Sequence, residues 1–318
     1  MKFLCVKLTL VVFALGCIAC SVRVQSELDS ETDAKTPSRI ASGEINARNE
    51  LIKGPVSSNG IQVILATSDL MAGKNRVGFL LTSTDGFVRN PSIVASSFYY
   101  LENSDERIVY ETVVANFHDS PYGEKGLYTA EFNFDKSGLW EIEVNFLNTD
   151  YSKYHAKIKF DVKDWSNVPW VGSVAVKSNN KTVFDVEDID QLTTGSLHDE
   201  DFYQTTVAEA TINGLPTVLV IDSPAFCMTM VCGPQLEILQ QLKINYKGQA
   251  NFIHVDLYDN PEEIQGNLNS AIISPTAIEW GILNKQWTFI IDRQSRVMSR
   301  FEAFVTFEEL EQALLKVL

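Results

Sequence analysis

Thr217-Val-Leu-Val-Ile-Asp222-Ser-Pro-Ala-Phe226-Cys227-Met-Thr-Met-Val-Cys232-Gly-Pro234-Gln235 is the stretch on which the reading of this chain turns. A short β-branched strand over 216–222 breaks at Ser223-Pro224. A helix follows, with Leu236, Leu239 and Leu242 at helical spacing. Outside its first twenty residues the chain has no cysteines other than Cys227 and Cys232. A thiol at a helix N-terminus meets unpaired backbone N–H groups and the positive end of the helix dipole, which together favour the thiolate. Spacing adds a constraint. Five residues of regular helix rise about 7.5 Å and turn the side chains roughly 140° apart, whereas a disulfide needs Cα atoms within about 4.4–6.8 Å. If the two bond, Cys227 is expected in the loop and Cys232 at or inside the first helical turn.

Around this stretch the pattern alternates between helix and strand. The spacing predicts a helix over 199–213 stopped by Gly214, and a strand over 251–258. A short helix opens at Ser274-Pro275 and runs to Trp280. Strands over 287–292 and 297–305 are joined by Arg293-Gln-Ser-Arg296. The capping box Thr306-Phe-Glu-Glu309 starts a last helix burying Phe307, Leu310, Leu314 and Val317. The predicted order is α-β-α-β-α-β-β-α.

Residues 54–164 have another rhythm, of period two. Trp140, Ile142, Val144 and Phe146 share one face, as do Ala156, Ile158, Phe160 and Val162, and Tyr128, Ala130, Phe132 and Phe134. Further strands are expected near 60–66, 76–82, 93–101 and 107–115. About seven short strands in about 110 residues predict an all-β immunoglobulin-like sandwich. His118 and His155 are isolated and read as surface residues of that half.

The later half resembles the thioredoxin-like family. The resemblance rests on the element order and on three stretches: Thr217 to Cys227, Phe252-Ile-His-Val-Asp256, and Trp287-Thr-Phe-Ile-Ile-Asp292. The last is similar to a strand of membrane-anchored, extracytoplasmic bacterial members. The resemblance implies an α/β thioredoxin-like domain and thiol–disulfide exchange at Cys227 and Cys232. Phe226 and Pro234, which flank the pair, and Gln286, Trp287 and Thr288 would position substrate beside it. In one register Cys227 attacks and Cys232 resolves. In the other Cys232-Gly-Pro-Gln235 matches the Cys-Gly-Pro-Cys run and Cys232 attacks. Two departures stand out: four residues separate the cysteines instead of two, and Gln286 occupies the place of the family's cis-proline. Asp222 lies one residue from the family's buried acid in the first register.

The N-terminus reads as an export signal, with Lys2 and Lys7 before an apolar run over 8–16 that is too short to span a bilayer. Ala14-Leu15-Gly16-Cys17 resembles a lipobox, which makes Cys17 (or Cys20) the expected lipidated residue; plain secretion is the alternative. The expected organisation is a signal over 1–20, a flexible tether over 21–52, the sandwich over 53–164, a connector over 165–198 and the thioredoxin-like domain over 199–318. A formal net charge of −15 argues against nucleic acid and against docking on anionic lipid through basic residues.

The expected function is therefore that of an extracytoplasmic, membrane-tethered thiol–disulfide oxidoreductase. Its partner is a protein disulfide or dithiol, its membrane contact is the N-terminal lipid, and it needs no cofactor or metal. Three rivals remain open. One is a redox-inactive binding or scaffold protein with a static disulfide. Another is a copper chaperone drawing on His254 or His198. The third is a peroxiredoxin-like protein reading Ser223-Pro-Ala-Phe-Cys227 as a peroxide site.

Overall fold

The alternation along 54–164 does become strands, but they form one sheet where two were expected. The computed structural model describes residues 51–90, 92–119, 126–147, 151–226 and 234–318. Eight strands make the larger sheet: β1 (Gln62–Leu65), β2 (Gly73–Ser83), β3 (Gly86–Phe87), β4 (Ser92–Tyr100), β5 (Arg107–Asp119), β6 (Gly126–Phe134), β7 (Gly138–Leu147) and β8 (Lys153–Val162). Their order is β1-β2-β6-β5-β4-β7-β8, antiparallel throughout, with β3 folded against β2. The ladder never breaks into two. β5 hands over from β4 to β6 at Asn116, which pairs with Ser92 on one side and Thr129 on the other.

The sheet curls round its own inner face. Val63, Phe79, Ala95, Tyr128, Phe134, Trp140, Ile142, Ile158 and Phe160, drawn from six strands, belong to a single buried cluster. Trp140 sits at its centre, 4.8 Å from the Phe134 ring and 5.3 Å from Tyr99. Backbone bonds stitch the seam where the two ends of the sheet approach. Lys163 N–H donates to Leu70 O at 2.9 Å, and Ala72 N–H to Lys163 O at 3.0 Å. Gly54 passes so close to the Lys157 carbonyl that a Cβ there would collide with it. The result is a nearly closed antiparallel barrel, which corrects the immunoglobulin-like sandwich. Period-two alternation specifies an inner and an outer face. It is silent on whether the inner face belongs to one curled sheet or two stacked ones.

The second sheet is small and mixed: β9 (Thr217–Asp222), β10 (Asn251–Asp256), β11 (Trp287–Ile291) and β12 (Val297–Glu302), in the order β10-β9-β11-β12. Only β9 and β10 run parallel. Every residue of β9 is buried, as its unbroken β-branched run demands. Five α-helices accompany this sheet: α1 (Val207–Ala210), α2 (Gln235–Asn245), α3 (Pro261–Ile264), α4 (Pro275–Glu279) and α5 (Phe307–Leu315). One face packs on α2 and α5 through Val218, Val220, Ile290, Leu239, Leu242 and Leu310. The other packs Leu219, Ile221 and Phe289 on Ala277 and Trp280.

These findings overturn the thioredoxin-like assignment. Among the described residues strand accounts for 39% and helix for 17%, and three of the five α-helices described are one turn or little more. The described residues do not form a clear α/β thioredoxin domain. The helix expected over 199–213 shows the cause. It is replaced by a 3-10 turn at Glu200–Tyr203 and the four-residue α1. Thr206 accepts from Glu209 N–H at 3.1 Å while Glu209 accepts from Thr206 N–H at 3.0 Å, so a capping box starts a new element inside the predicted one. Between β10 and β11 the chain turns repeatedly, at Gln265 (φ 43°), Gly266 (φ 82°) and Gly281 (φ 69°), and leaves no room for a long helix there.

The barrel and the mixed sheet meet through paired charges. The Arg300 guanidinium lies 4.3 Å from the Trp170 ring and 4.8 Å from that of Trp287, and donates to Asp69 Oδ2 at 2.6 Å. Arg76 forks onto Glu309 at 2.7 and 2.9 Å. Glu302, buried with its partner Lys285 at 2.9 Å, accepts across the junction from Ser68 Oγ at 2.8 Å.

Candidate functional site

Cys227 and Cys232 both fall within 227–233, outside the described residues; so do Cys17, Cys20 and the expected signal. What is described is the frame that holds the pair at either end. β9 stops at Asp222 and a tight turn follows, in which Phe226 N–H donates to Ser223 O at 3.0 Å. Thr194 fastens that turn: its hydroxyl accepts from Ala225 N–H at 3.3 Å and lies 3.0 Å from Ser223 Oγ. Phe226 is half-buried, its ring 6.0 Å from Tyr258. On the far side Pro234 is buried and accepts from Ile238 N–H at 3.2 Å, and α2 begins at Gln235.

Under this frame runs a buried polar chain. Asp222 Oδ1 is 3.0 Å from His254 Nε2, and His254 Nδ1 is 2.7 Å from the Tyr203 hydroxyl. Tyr203 and His254 are each 1% exposed and Asp222 3%. Both ring nitrogens of His254 are thus engaged. Parallel pairing of β9 with β10 places Asp256 directly beside Asp222. Burial pushes Asp256 up to about 6, against the lowering pull of His254 and of the hydrogen bonds from Thr194 and Tyr258. Burial likewise drives the Tyr203 hydroxyl well above its ordinary value. Thr194 links the two levels: its N–H and hydroxyl donate to Asp256 Oδ2 at 2.7 and 2.8 Å, while the same hydroxyl reaches the turn that leads to Cys227. The arrangement gathers four buried titratable side chains, three of them hydrogen-bonded in series, at the carboxyl ends of two parallel strands.

Gln286, Trp287 and Thr288 lie at the same end of the sheet, because Trp287 pairs with Ile221. They are 1%, 4% and 0% exposed. Gln286 donates to Gln235 Oε1 at 2.6 Å, tying the start of β11 to the first residue of α2, and Gln235 Oε1 also accepts from Val305 N–H at 3.3 Å. No described peptide bond is cis. His198 lies elsewhere, 3.2 Å from Asp190, and among the described residues no group of three or more His, Cys, Asp or Glu is placed to hold a metal.

Sequence reasoning singled out Asp222 and His254 but did not pair them, and it missed Tyr203, Thr194 and the role of Asp256. His254 and Asp256 carry a signal, since they lie two residues apart in one predicted strand and so point to the same face of it. Tyr203 and Thr194 carry none, because they arrive from irregular chain more than fifty residues before their partners in β10. No family model matches this chain, and no curated protein matches it either.

Proposed function

We propose that this chain is a thiol–disulfide oxidoreductase acting through Cys227 and Cys232, exported and held at a membrane by a lipid on Cys17 or Cys20. One cysteine thiolate attacks a sulfur of the partner's disulfide, forming a mixed disulfide and releasing the partner's other sulfur as a thiolate, which takes up a proton. The second cysteine loses its proton and attacks the mixed disulfide. The partner leaves as a dithiol, reduced by two electrons, and Cys227–Cys232 is left oxidised. A second dithiol resets the pair by the same steps in reverse.

The observation that carries this reading is the buried chain Tyr203–His254–Asp222, ending one residue before the turn into Cys227. Each exchange step moves a proton to or from sulfur, and a general acid–base group within reach of that sulfur accelerates it. Buried titratable groups of this kind are costly to maintain and cluster at functional sites. The burial of Gln286, Trp287 and Thr288 favours a second reading, in which the pair forms a static bridge in a binding protein. Insulin reduction by the full chain, run beside Cys227→Ser and Cys232→Ser, separates the two. Exchange predicts turnover that both substitutions abolish. Turnover that survives both, or none in the parent chain, refutes it.

A further inference from the structure

Where α5 meets the outer face of the barrel a cleft of about 530 Å³ opens, with Lys74, Arg76, Glu131, Glu309 and Lys316 in its walls. Lys74 and Arg76 are two residues apart in β2 and share a face, and Glu131 of β6 stands directly opposite Arg76. Glu309 and Lys316 lie seven residues apart, two turns along one side of α5 and its C-terminal cap. Some of the charge here is spent. Arg76 is paired with Glu309 at 2.7 Å, Arg300 with Asp69 at 2.6 Å and Glu302 with Lys285 at 2.9 Å. Lys74, Lys316 and Glu131 make no ion pair among the described residues, so the walls keep two free cations against one free anion. Burial raises the Glu131 carboxyl, helped by Glu309, against the lowering pull of Arg76, Lys74 and Lys316; all three cations therefore act on one spot. The Arg76 side chain is only 8% exposed, and its Nε and Nη2 are taken by Glu309 and by Phe304 O. Its Nη1 is buried with no acceptor, a costly state for a charged donor.

An oxyanion is the one partner that two free ammonium groups and an unmet guanidinium N–H have in common. A metal cation finds little here, because Glu131 is the single unspent carboxylate of the cleft and no described group of three or more ligating residues is placed to hold one. Beside the cations the walls turn apolar: Val171 is 48% exposed, Met298 42%, and Trp170 is half-buried. The volume is that of a small-molecule site. We infer that this cleft binds a small organic anion, a carboxylate on an apolar body, held by Lys74, Lys316 and Arg76. The inference stands apart from the exchange reading, since it draws on neither cysteine.

The test is a calorimetric titration of the full chain with phenylpropionate, beside its neutral counterpart phenylpropionamide. The cleft predicts saturable binding of the carboxylate and no saturation with the amide. Lys74→Gln and Lys316→Gln should each weaken the carboxylate about tenfold. Glu131→Gln, which removes the opposing charge, should tighten it about threefold. Both lysines are exposed and unpaired, so their variants are expected to fold, and an unchanged thermal midpoint checks this. Failure of phenylpropionate to saturate, equal saturation by the amide, or an affinity that neither lysine variant alters overturns the inference.

Discussion

Replacing Tyr203 by Phe takes a single oxygen from the buried chain beneath the cysteine segment and changes no other atom. The ring contacts with His254, at 5.6 Å, and Phe202, at 6.4 Å, can stay as they are. The loss is therefore that of the hydroxyl's hydrogen bonds, the 2.7 Å contact to His254 Nδ1 and the bond with the Thr193 side chain, at a residue only 1% exposed where water cannot replace them. A buried polar group left without its partner costs about 1–3 kcal/mol, so Tyr203→Phe is expected to lower stability by about 2 kcal/mol. His254→Leu removes the other end of the same bond. The double variant should then fall short of additivity by about 1–2 kcal/mol, as residues in direct contact do. Urea unfolding followed by tryptophan emission measures this, since Trp280 and Trp287 lie in the same half. The Tyr203→Phe substitution should also slow insulin reduction and displace its pH profile, which a purely structural hydroxyl would not do. A change under about 0.5 kcal/mol, or full additivity with His254→Leu, would show that the chain is not a coupled unit.

Two more outcomes follow from the charges. Arg300→Met leaves Asp69, a mostly buried carboxylate, without its 2.6 Å partner and removes the cation between Trp170 and Trp287. A loss of about 3 kcal/mol or more is expected, read as a lower urea midpoint and partly recovered in Asp69→Asn/Arg300→Met. Asp256 sets the pH dependence. The folded chain holds its proton up to about 6 against an ordinary 3.8, so the native state binds the extra proton between those values. Stability from this group is fully present below about pH 4, falls as pH rises towards 6 and is flat above, a span of about 3 kcal/mol. Urea midpoints from pH 4 to 7 should show a steeper fall in the parent chain than in Asp256→Asn, where Glu131, raised by burial, and His118, lowered by burial, still titrate.

Legibility in the sequence followed the range of the forces involved. The inward sets of β6, β7 and β8 could be read because alternation is local, and the capping box at Thr306 because it spans four residues. Closure of the barrel depends on Lys163 meeting Leu70 and Ala72, which no local pattern announces. The thioredoxin-like resemblance leaned on strand order and short strand motifs. It weighed neither the Thr206 box that divides the predicted helix nor the repeated turns between β10 and β11. At the site, Asp222 was visible at the end of its strand. Its bond to His254 requires the parallel pairing of β9 with β10, and the link to Tyr203 requires a fold that brings distant irregular chain beneath the sheet.

The reduction potential of the cysteine couple decides between exchange and a static bridge. Equilibrating the full chain across a series of glutathione ratios, and counting free thiols at Cys227 and Cys232, gives its reduction potential. A working exchange pair predicts one two-electron transition between about −120 and −270 mV. A pair that never forms a disulfide, or one that stays oxidised to below about −300 mV, would contradict the proposal.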